Sequence, residues 1–276
     1  MAEQATPGTQ AAKDTSAPAA AVASSSGASR GDPLEALNRV REKLNHPHGA
    51  ALLAFLLGLV LFLPGLGSFG FWEPQETQVV DAITAYKSGG DTAALDPALQ
   101  HPTLQMRILV QFARWMGTSE WALRLPLSLL GALGMAAVAF AAGWLWRPRA
   151  GIYAAIALGT SVNYLFQSRQ LGGDVTSMAA TALLIAMLAP LLASAKERKE
   201  RWWLWLPLAA GAAAMAHFSC GALLGVALPC AGAGTAMLAG LLLRGRDGQP
   251  LIERKADTIA IAATLAGVAL IIGIWA

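Results

Sequence analysis

The chain has 276 residues, of which 55% are hydrophobic and only 13% charged, with a formal net charge of +3. Soluble proteins carry about 25% charged residues, so this composition excludes a soluble domain of ordinary type and indicates a protein built for the lipid bilayer. The basic residues cluster beside apolar segments, as the positive-inside rule predicts, which argues against a nucleic-acid partner.

The N-terminal region differs in composition from the rest of the chain. Residues 1–31 are rich in Ala, Ser, Thr, Gly and Pro and predict a disordered cytoplasmic tail. Residues 32–48 predict a juxtamembrane amphipathic helix, because Leu34, Leu37, Val40 and Leu44 fall on one face. Its basic residues suit the cytoplasmic surface of a membrane.

Residues 49–276 predict an all-α fold, a polytopic transmembrane helix bundle with about seven spans. The apolar runs approach or exceed the ~17–25 residues that a membrane-crossing helix needs. They cover residues 50–66, 121–146, 150–166, 175–195, 202–220, 221–243 and 256–276. The last run stops at Ala276 without a flanking charge, and we expect the natural chain to continue beyond it.

Basic residues follow the second, fourth and sixth of these runs: Arg147, Arg149, Lys196, Arg198, Lys199, Arg201, Arg244, Arg246, Arg254 and Lys255. Placing these connections and the N-terminus in the cytoplasm satisfies the positive-inside rule. The first loop, residues 67–120, and the turn at residues 169–174 are then external. A loop of this length between spans indicates a functional segment containing amphipathic helices of its own.

The first loop opens with the acidic string WEPQET at residues 72–77. Glu73 and Glu76 are three residues apart, so they share one face of a helix beginning near Pro74. Two interpretations carry equal weight: the carboxylates cap the helix at its positive N-terminus, or they perform acid–base catalysis.

A second helix is predicted over residues 101–116, with Leu104, Ile108, Phe112 and Trp115 forming an apolar face that lies on the outer membrane surface. His101, just before it, is more often structural than catalytic. Neither cysteine, Cys220 or Cys230, has a disulfide or zinc-site spacing, and we expect no catalytic metal.

Three charged residues lie where predicted spans meet the outer surface. Arg124 is either an interface anchor or a phosphate ligand. Arg169 and Asp174 form either a salt bridge within the turn or a charged pair beside an external cavity.

Taken in order, four strings resemble the N-terminal half of a GT-C membrane glycosyltransferase, in the branch of the protein O-mannosyltransferases and the lipid A aminoarabinose transferase. They are WEPQET, HPTL, GTSEWALRLP and SRQLGGD, at residues 72–77, 101–104, 117–126 and 168–174. The resemblance implies transfer of a sugar from a polyprenyl-phosphate carrier to an acceptor of unknown identity at the external face, without a further cofactor. It also implies a multi-pass protein of a bacterial-type inner membrane.

The same resemblance assigns roles to residues. It implies Glu73, Glu76 and Asp174 as catalytic carboxylates, and His101, Arg124 and Arg169 as contacts of the substrate. Family members carry lysines where this chain has His101 and Cys220; the nearby His217 is a candidate substitute. These departures keep an alternative open, a non-catalytic GT-C-like subunit with membrane-protein partners. A transporter is disfavoured because few charges lie within the spans.

Overall fold

The computed structural model describes residues 45–93, 95–96, 99, 103–192, 204–242 and 265–267. All of them belong to one compact unit, Arg39–Ala276. Within these residues the chain is helical and contains no strand, in agreement with the all-α prediction. The predicted tail, most of the juxtamembrane helix, the last predicted span apart from residues 265–267, and His101 lie outside the described residues.

The helices, labelled here in chain order, are α1 Pro47–Phe62, α2 Gln75–Ser88, α3 Leu104–Met116, α4 Glu120–Leu145, α5 Pro148–Thr160, α6 Val162–Gln167, α7 Val175–Leu192, α8 Trp205–Ala222 and α9 Leu228–Leu242. A π-helical segment, Leu223–Ala227, separates α8 from α9. The described part of the first loop therefore contains two helices, as the sequence predicts, and the first of them, α2, begins one residue after Pro74.

Helix α1 differs at both ends from the predicted first span of residues 50–66. Pro47 occupies its first turn, where proline is well tolerated because its missing N–H would be unpaired anyway. Residues 47–48, predicted to belong to the juxtamembrane helix, are thus part of α1. The helix ends at Phe62 because Pro64 and Gly65, whose φ is +72°, do not continue it.

Helix α4 is the centre of the bundle and packs against α1, α5 and α7. Small residues permit this close packing. A Cβ added to Gly58 of α1 would lie 2.8 Å from the Cα of Ala132, and one added to Gly151 of α5 would overlap the carbonyl oxygen of Ala139. Backbones that approach through small residues are typical of helix pairs in membranes.

Among the residues that the structure describes, two helical stretches are long and apolar enough to cross a membrane, Glu120–Leu145 and Trp205–Ala236, and two shorter apolar helices lie at Pro47–Phe62 and Val175–Pro190. The predicted span of residues 150–166 is not one helix in the structure. Ser161, with φ −65° and ψ 128°, is extended and divides it into α5 and α6.

The stretch after Trp205 folds back on itself. Gly221 has φ +81° and ψ 174°, a conformation that is essentially restricted to glycine. Beyond it Gly225 packs against Ala216, although nine residues of straight helix would separate them by about 13 Å. The predicted boundary between two spans at residues 220 and 221 therefore coincides with a sharp turn.

Helix α3 packs against the protein through one side and leaves its predicted apolar face at least partly exposed. Its buried residues are Met106, Leu109 and Ala113, which join a cluster that includes Val79 and Ile83 of α2. The predicted apolar face is partly or fully exposed, and Trp115 remains 72% accessible. The predicted face thus stays open, and α2 covers the side of α3 that carries Met106, Leu109 and Ala113, a contact that the sequence did not predict.

Candidate functional site

Arg124 fixes the loop that follows α1. Its side chain is only 4% exposed, since it lies in the second turn of α4, the central helix. Its Nη1 donates to the carbonyls of Leu66 (3.0 Å) and Phe69 (2.9 Å), and its Nη2 donates to the carbonyl of Gly70 (3.0 Å). Nη2 also donates to Oε2 of Glu76 at 2.5 Å. Four of its five N–H groups are thus engaged within the protein.

Glu76 is the second part of this arrangement and is 2% exposed. Besides Arg124, its Oε2 accepts the backbone N–H of Trp72 (3.0 Å), and its Oε1 accepts the N–H of Leu171 (2.8 Å). One carboxylate therefore joins the start of α2, the start of α4 and the turn after α6. Both members of this buried ion pair gain the hydrogen bonds that such a pair needs to be stable.

The turn between α6 and α7 is held from a third side by Gln105 of α3. Its Nε2 donates to the carbonyls of Leu171 (2.9 Å) and Gly173 (2.7 Å). The turn is also closed internally, because Gln167 Oε1 accepts the N–H of Asp174 at 2.6 Å. Leu171 therefore donates its N–H to Glu76 of α2 and accepts a hydrogen bond at its carbonyl from Gln105 of α3.

A cavity of about 200 Å³ lies beside this network. It is lined by Gly65, Leu66, Phe69, Trp72, Arg124, Leu165, Phe166, Arg169 and Gln170. The rings of Trp72 and Phe166 meet edge to face with centroids 6.1 Å apart, and Nε of buried Arg124 has no hydrogen-bond partner among the described residues. The cavity therefore combines aromatic walls with two guanidinium groups.

Arg169 lines the cavity and donates from Nη2 to the carbonyl of Pro64 at 2.7 Å. No ion pair joins it to Asp174 in the described part of the chain, so the predicted salt bridge within the turn is absent there. Asp174 is exposed and precedes α7, where its Oδ1 accepts the Ser177 hydroxyl at 2.5 Å. Asp174 thus occupies the N-cap position of α7.

Glu73 is exposed in the turn before α2 and directly follows Trp72, which lines the cavity. The two carboxylates of the acidic string therefore differ in environment: Glu76 is buried and bonded, whereas Glu73 is open to solvent. The structure brings together Glu76, Arg124 and the turn that carries Arg169 and Asp174; His101 is outside the described residues.

Sequence reasoning missed Gln105, Trp72 and Gln170 as site residues. One feature of the sequence pointed to Gln105: its side-chain amide lies within an otherwise largely apolar stretch, LQMRILV. The pairing partners of Gln105 lie 66 and 68 residues away in the chain, so no local pattern could identify them. In the part of the chain that the structure covers, no group of three His, Cys, Asp or Glu side chains could hold a metal ion.

These features define a helical membrane protein in which several helices end beside a largely apolar cavity that contains two guanidinium groups. The family model of the dolichyl-phosphate-mannose-protein mannosyltransferases matches residues 100–242, just over half of the chain. The chain belongs to this family, which makes it a membrane glycosyltransferase by type. Searches of curated proteins and of solved structures gave no match.

Proposed function

We propose that this protein transfers a sugar from a polyprenyl-phosphate carrier to an acceptor at the external face of a bacterial-type inner membrane, with its N-terminus in the cytoplasm. The family membership supports sugar transfer. The observation that carries the proposal is the cavity itself, in which Arg169 and Arg124 lie against aromatic walls beside the acidic string. It offers apolar surface and cationic donors to one amphiphilic, anionic substrate.

Arg169 is the proposed phosphate ligand. The charge of Arg124 is balanced by Glu76 at 2.5 Å, so Arg169 supplies the uncompensated positive charge of the cavity. Within the described residues its guanidinium makes one hydrogen bond, to Pro64, and its other N–H groups point to no protein partner. These N–H groups are available to donate charge-assisted hydrogen bonds to the carrier phosphate. Such bonds stabilise the phosphate as it leaves with the lipid. Arg124 contributes at most its Nε–H, and His101 is a proposed further contact.

Glu73 is the proposed general base. As the acceptor oxygen forms its bond to the anomeric carbon, the bond from that carbon to the phosphate oxygen breaks. The acceptor's proton passes to the Glu73 carboxylate, and the electron pair of the broken bond leaves with the carrier phosphate. A general base needs an oxygen that is open to the proton it removes. Glu73 is exposed, whereas the oxygens of Glu76 already accept three hydrogen bonds.

Asp174 remains a proposed second carboxylate of the reaction. It is exposed, and one of its oxygens is engaged by Ser177, which leaves the other for the acceptor. Glu76 is better described as a positioning residue, since it ties the segments that carry Glu73 and Arg169 to each other.

A non-catalytic subunit is the second candidate. It is favoured by the finding that Glu76 and Arg124, two residues of the family-like strings, are hydrogen-bonded to each other and to backbone groups, and so are engaged in holding the fold. Such a protein would keep this network as a scaffold and use its exposed helix faces to bind other membrane proteins.

The test is sugar transfer by the purified full chain in proteoliposomes, supplied with polyprenyl-phosphate sugars and a membrane extract as the acceptor source. We expect Glu73→Gln to lower the turnover about 10²–10⁴-fold, the usual contribution of a general base, and Arg169→Gln to raise the donor concentration required. Arg149→Gln, an exposed change at the start of α5, is the matched control. Sugar transfer by Glu73→Gln at the rate of the control variant would refute the assignment of Glu73 as the base. Absence of transfer by the wild-type protein and by every variant would favour the non-catalytic subunit.

A further inference from the structure

Helix α3 exposes a basic stripe, defined here as Arg107, Gln111 and Arg114. These residues recur at intervals of four and three positions, so they lie along one side of the helix, and all three are exposed. With Tyr86 and Val110 they line an open cleft of about 280 Å³ between α2 and α3. The stripe is therefore accessible to a ligand that carries negative charge.

An apolar groove runs beside the basic stripe on the neighbouring side of α3. It measures about 340 Å³ and is lined by Phe55, Ile108, Phe112, Pro126, Leu129, Leu130 and Leu133. Ile108 and Phe112 each follow a residue of the stripe and so point about 100° around the helix from it. From Pro126 to Leu133 the groove follows α4 for about 10 Å, at 1.5 Å per residue.

The groove is separate from the cavity that contains Arg124. Leu129, Leu130 and Leu133 lie about 140–240° around α4 from Arg124, at 100° per residue. The two sites therefore occupy opposite sides of the same helix, and a ligand in the groove does not touch the proposed donor site.

We propose that the basic stripe and the apolar groove together bind an anionic membrane lipid, with its head-group phosphate at Arg107 and Arg114 and one acyl chain in the groove. Guanidinium groups bind phosphate with charge-assisted hydrogen bonds. The groove lining offers no polar group, so a hydrocarbon chain fits it and a peptide backbone, with unpaired N–H and C=O groups, does not.

The position of α3 along the bundle favours a lipid over a soluble anion. Three residues, 117–119, connect α3 to α4, which is long and apolar enough to cross a membrane, so the stripe lies where a membrane-crossing helix begins. Trp115 and Trp121 flank this connection with accessibilities of 72% and 47%. Exposed tryptophans at such a level are typical of the head-group region of a membrane.

The test is photocrosslinking of the full chain in phosphatidylcholine vesicles that contain phosphatidylglycerol with a diazirine in one acyl chain. We expect crosslinks to peptides of α3 and of residues 126–133. Replacing both arginines, Arg107→Gln with Arg114→Gln, should lower the yield about 25-fold, since each basic residue near an anionic surface contributes about fivefold. Arg107→Lys with Arg114→Lys should keep most of it.

Three controls decide the source of the signal. Diazirine-labelled phosphatidylcholine should crosslink weakly to these peptides, and excess glycerophosphoglycerol, the head group alone, should not compete. Arg147→Gln with Arg149→Gln removes the same charge at the far end of α4 and should leave the yield unchanged. Equal crosslinking by both lipids, an unchanged yield in the glutamine pair, or full competition by the head group would each overturn the proposal. None of these outcomes depends on sugar transfer.

Discussion

Arg124 and Glu76 form a buried ion pair at 2.5 Å across 48 residues of sequence. The pair fixes the first loop to the central helix, and through Leu171 it also fixes the turn that carries Arg169 and Asp174. The ion pair explains how the first loop and the turn between α6 and α7, which are far apart in the sequence, contribute residues to one site.

Breaking this pair should destabilise the protein strongly. Glu76→Ala leaves the Arg124 charge buried without its partner, and we expect it to lower the free energy of unfolding by about 3–5 kcal/mol. Chemical unfolding in mixed micelles measures this loss. The double variant with Arg124→Ala should lose less than the sum of the single variants, because the two residues interact directly.

The control for this pair is Glu73→Ala, which removes an exposed carboxylate from the same segment. We expect its unfolding free energy to stay within about 0.5 kcal/mol of the wild-type value. Equal losses for Glu73→Ala and Glu76→Ala would contradict the structural role assigned to the pair.

Gln105 should stabilise the turn between α6 and α7 rather than the whole helix bundle. Gln105→Leu removes two hydrogen bonds, worth about 1–3 kcal/mol together, and leaves the carbonyls of Leu171 and Gly173 unpaired. Hydrogen exchange of residues 168–178 should become faster. Gln78→Leu, an exposed change on α2, should leave this exchange unchanged, and equal acceleration by both would argue against a specific clamp.

Gly221 should be required for its backbone conformation alone. A Cβ there would meet no atom within 4 Å, yet φ is +81°, so Gly221→Ala should cost about 1–3 kcal/mol through strain. Gly211 of α8 has equally open surroundings and no positive φ. Gly211→Ala should be neutral or stabilising, because alanine favours helix by about 1 kcal/mol relative to glycine. Similar losses of stability for both variants in thermal unfolding would refute the turn conformation at Gly221.

Close contact between α1 and α4 should make Gly58 intolerant of a side chain. Its added Cβ would approach the Cα of Ala132 at 2.8 Å, so Gly58→Ala should destabilise the bundle by about 1–3 kcal/mol through overpacking. Gly232→Ala in α9, where a Cβ meets nothing within 4 Å, is the comparison in the same unfolding measurement. Wild-type stability of Gly58→Ala would contradict the observed packing.

The sequence predicted the elements that depend on local chemistry. A proline and an acidic first turn marked the start of α2, and the class of the fold followed from composition. The division at residues 220 and 221 also coincided with a turn, because Gly221 permits a conformation that other residues avoid.

Features that depend on distant contacts were not predictable. Nothing local showed that Glu76 would pair with Arg124, so the acidic string suggested two equivalent carboxylates where the structure has one buried and one exposed. The packing of α3 was not predictable for the same reason: its apolar face was predicted to lie on the outer membrane surface, but nothing local indicated that α2 would cover Met106, Leu109 and Ala113 on another side.

The most direct test of the proposed donor site is the binding of polyprenyl phosphate to the purified full chain, with the uncharged polyprenol of equal length as reference. We expect the wild-type protein to prefer the phosphate, and Arg169→Gln to weaken that preference about 10–100-fold, as loss of a charged hydrogen-bond donor worth ~1.5–3 kcal/mol implies. Equal affinity of the wild-type protein for both lipids, or an unchanged preference in Arg169→Gln, would contradict the account.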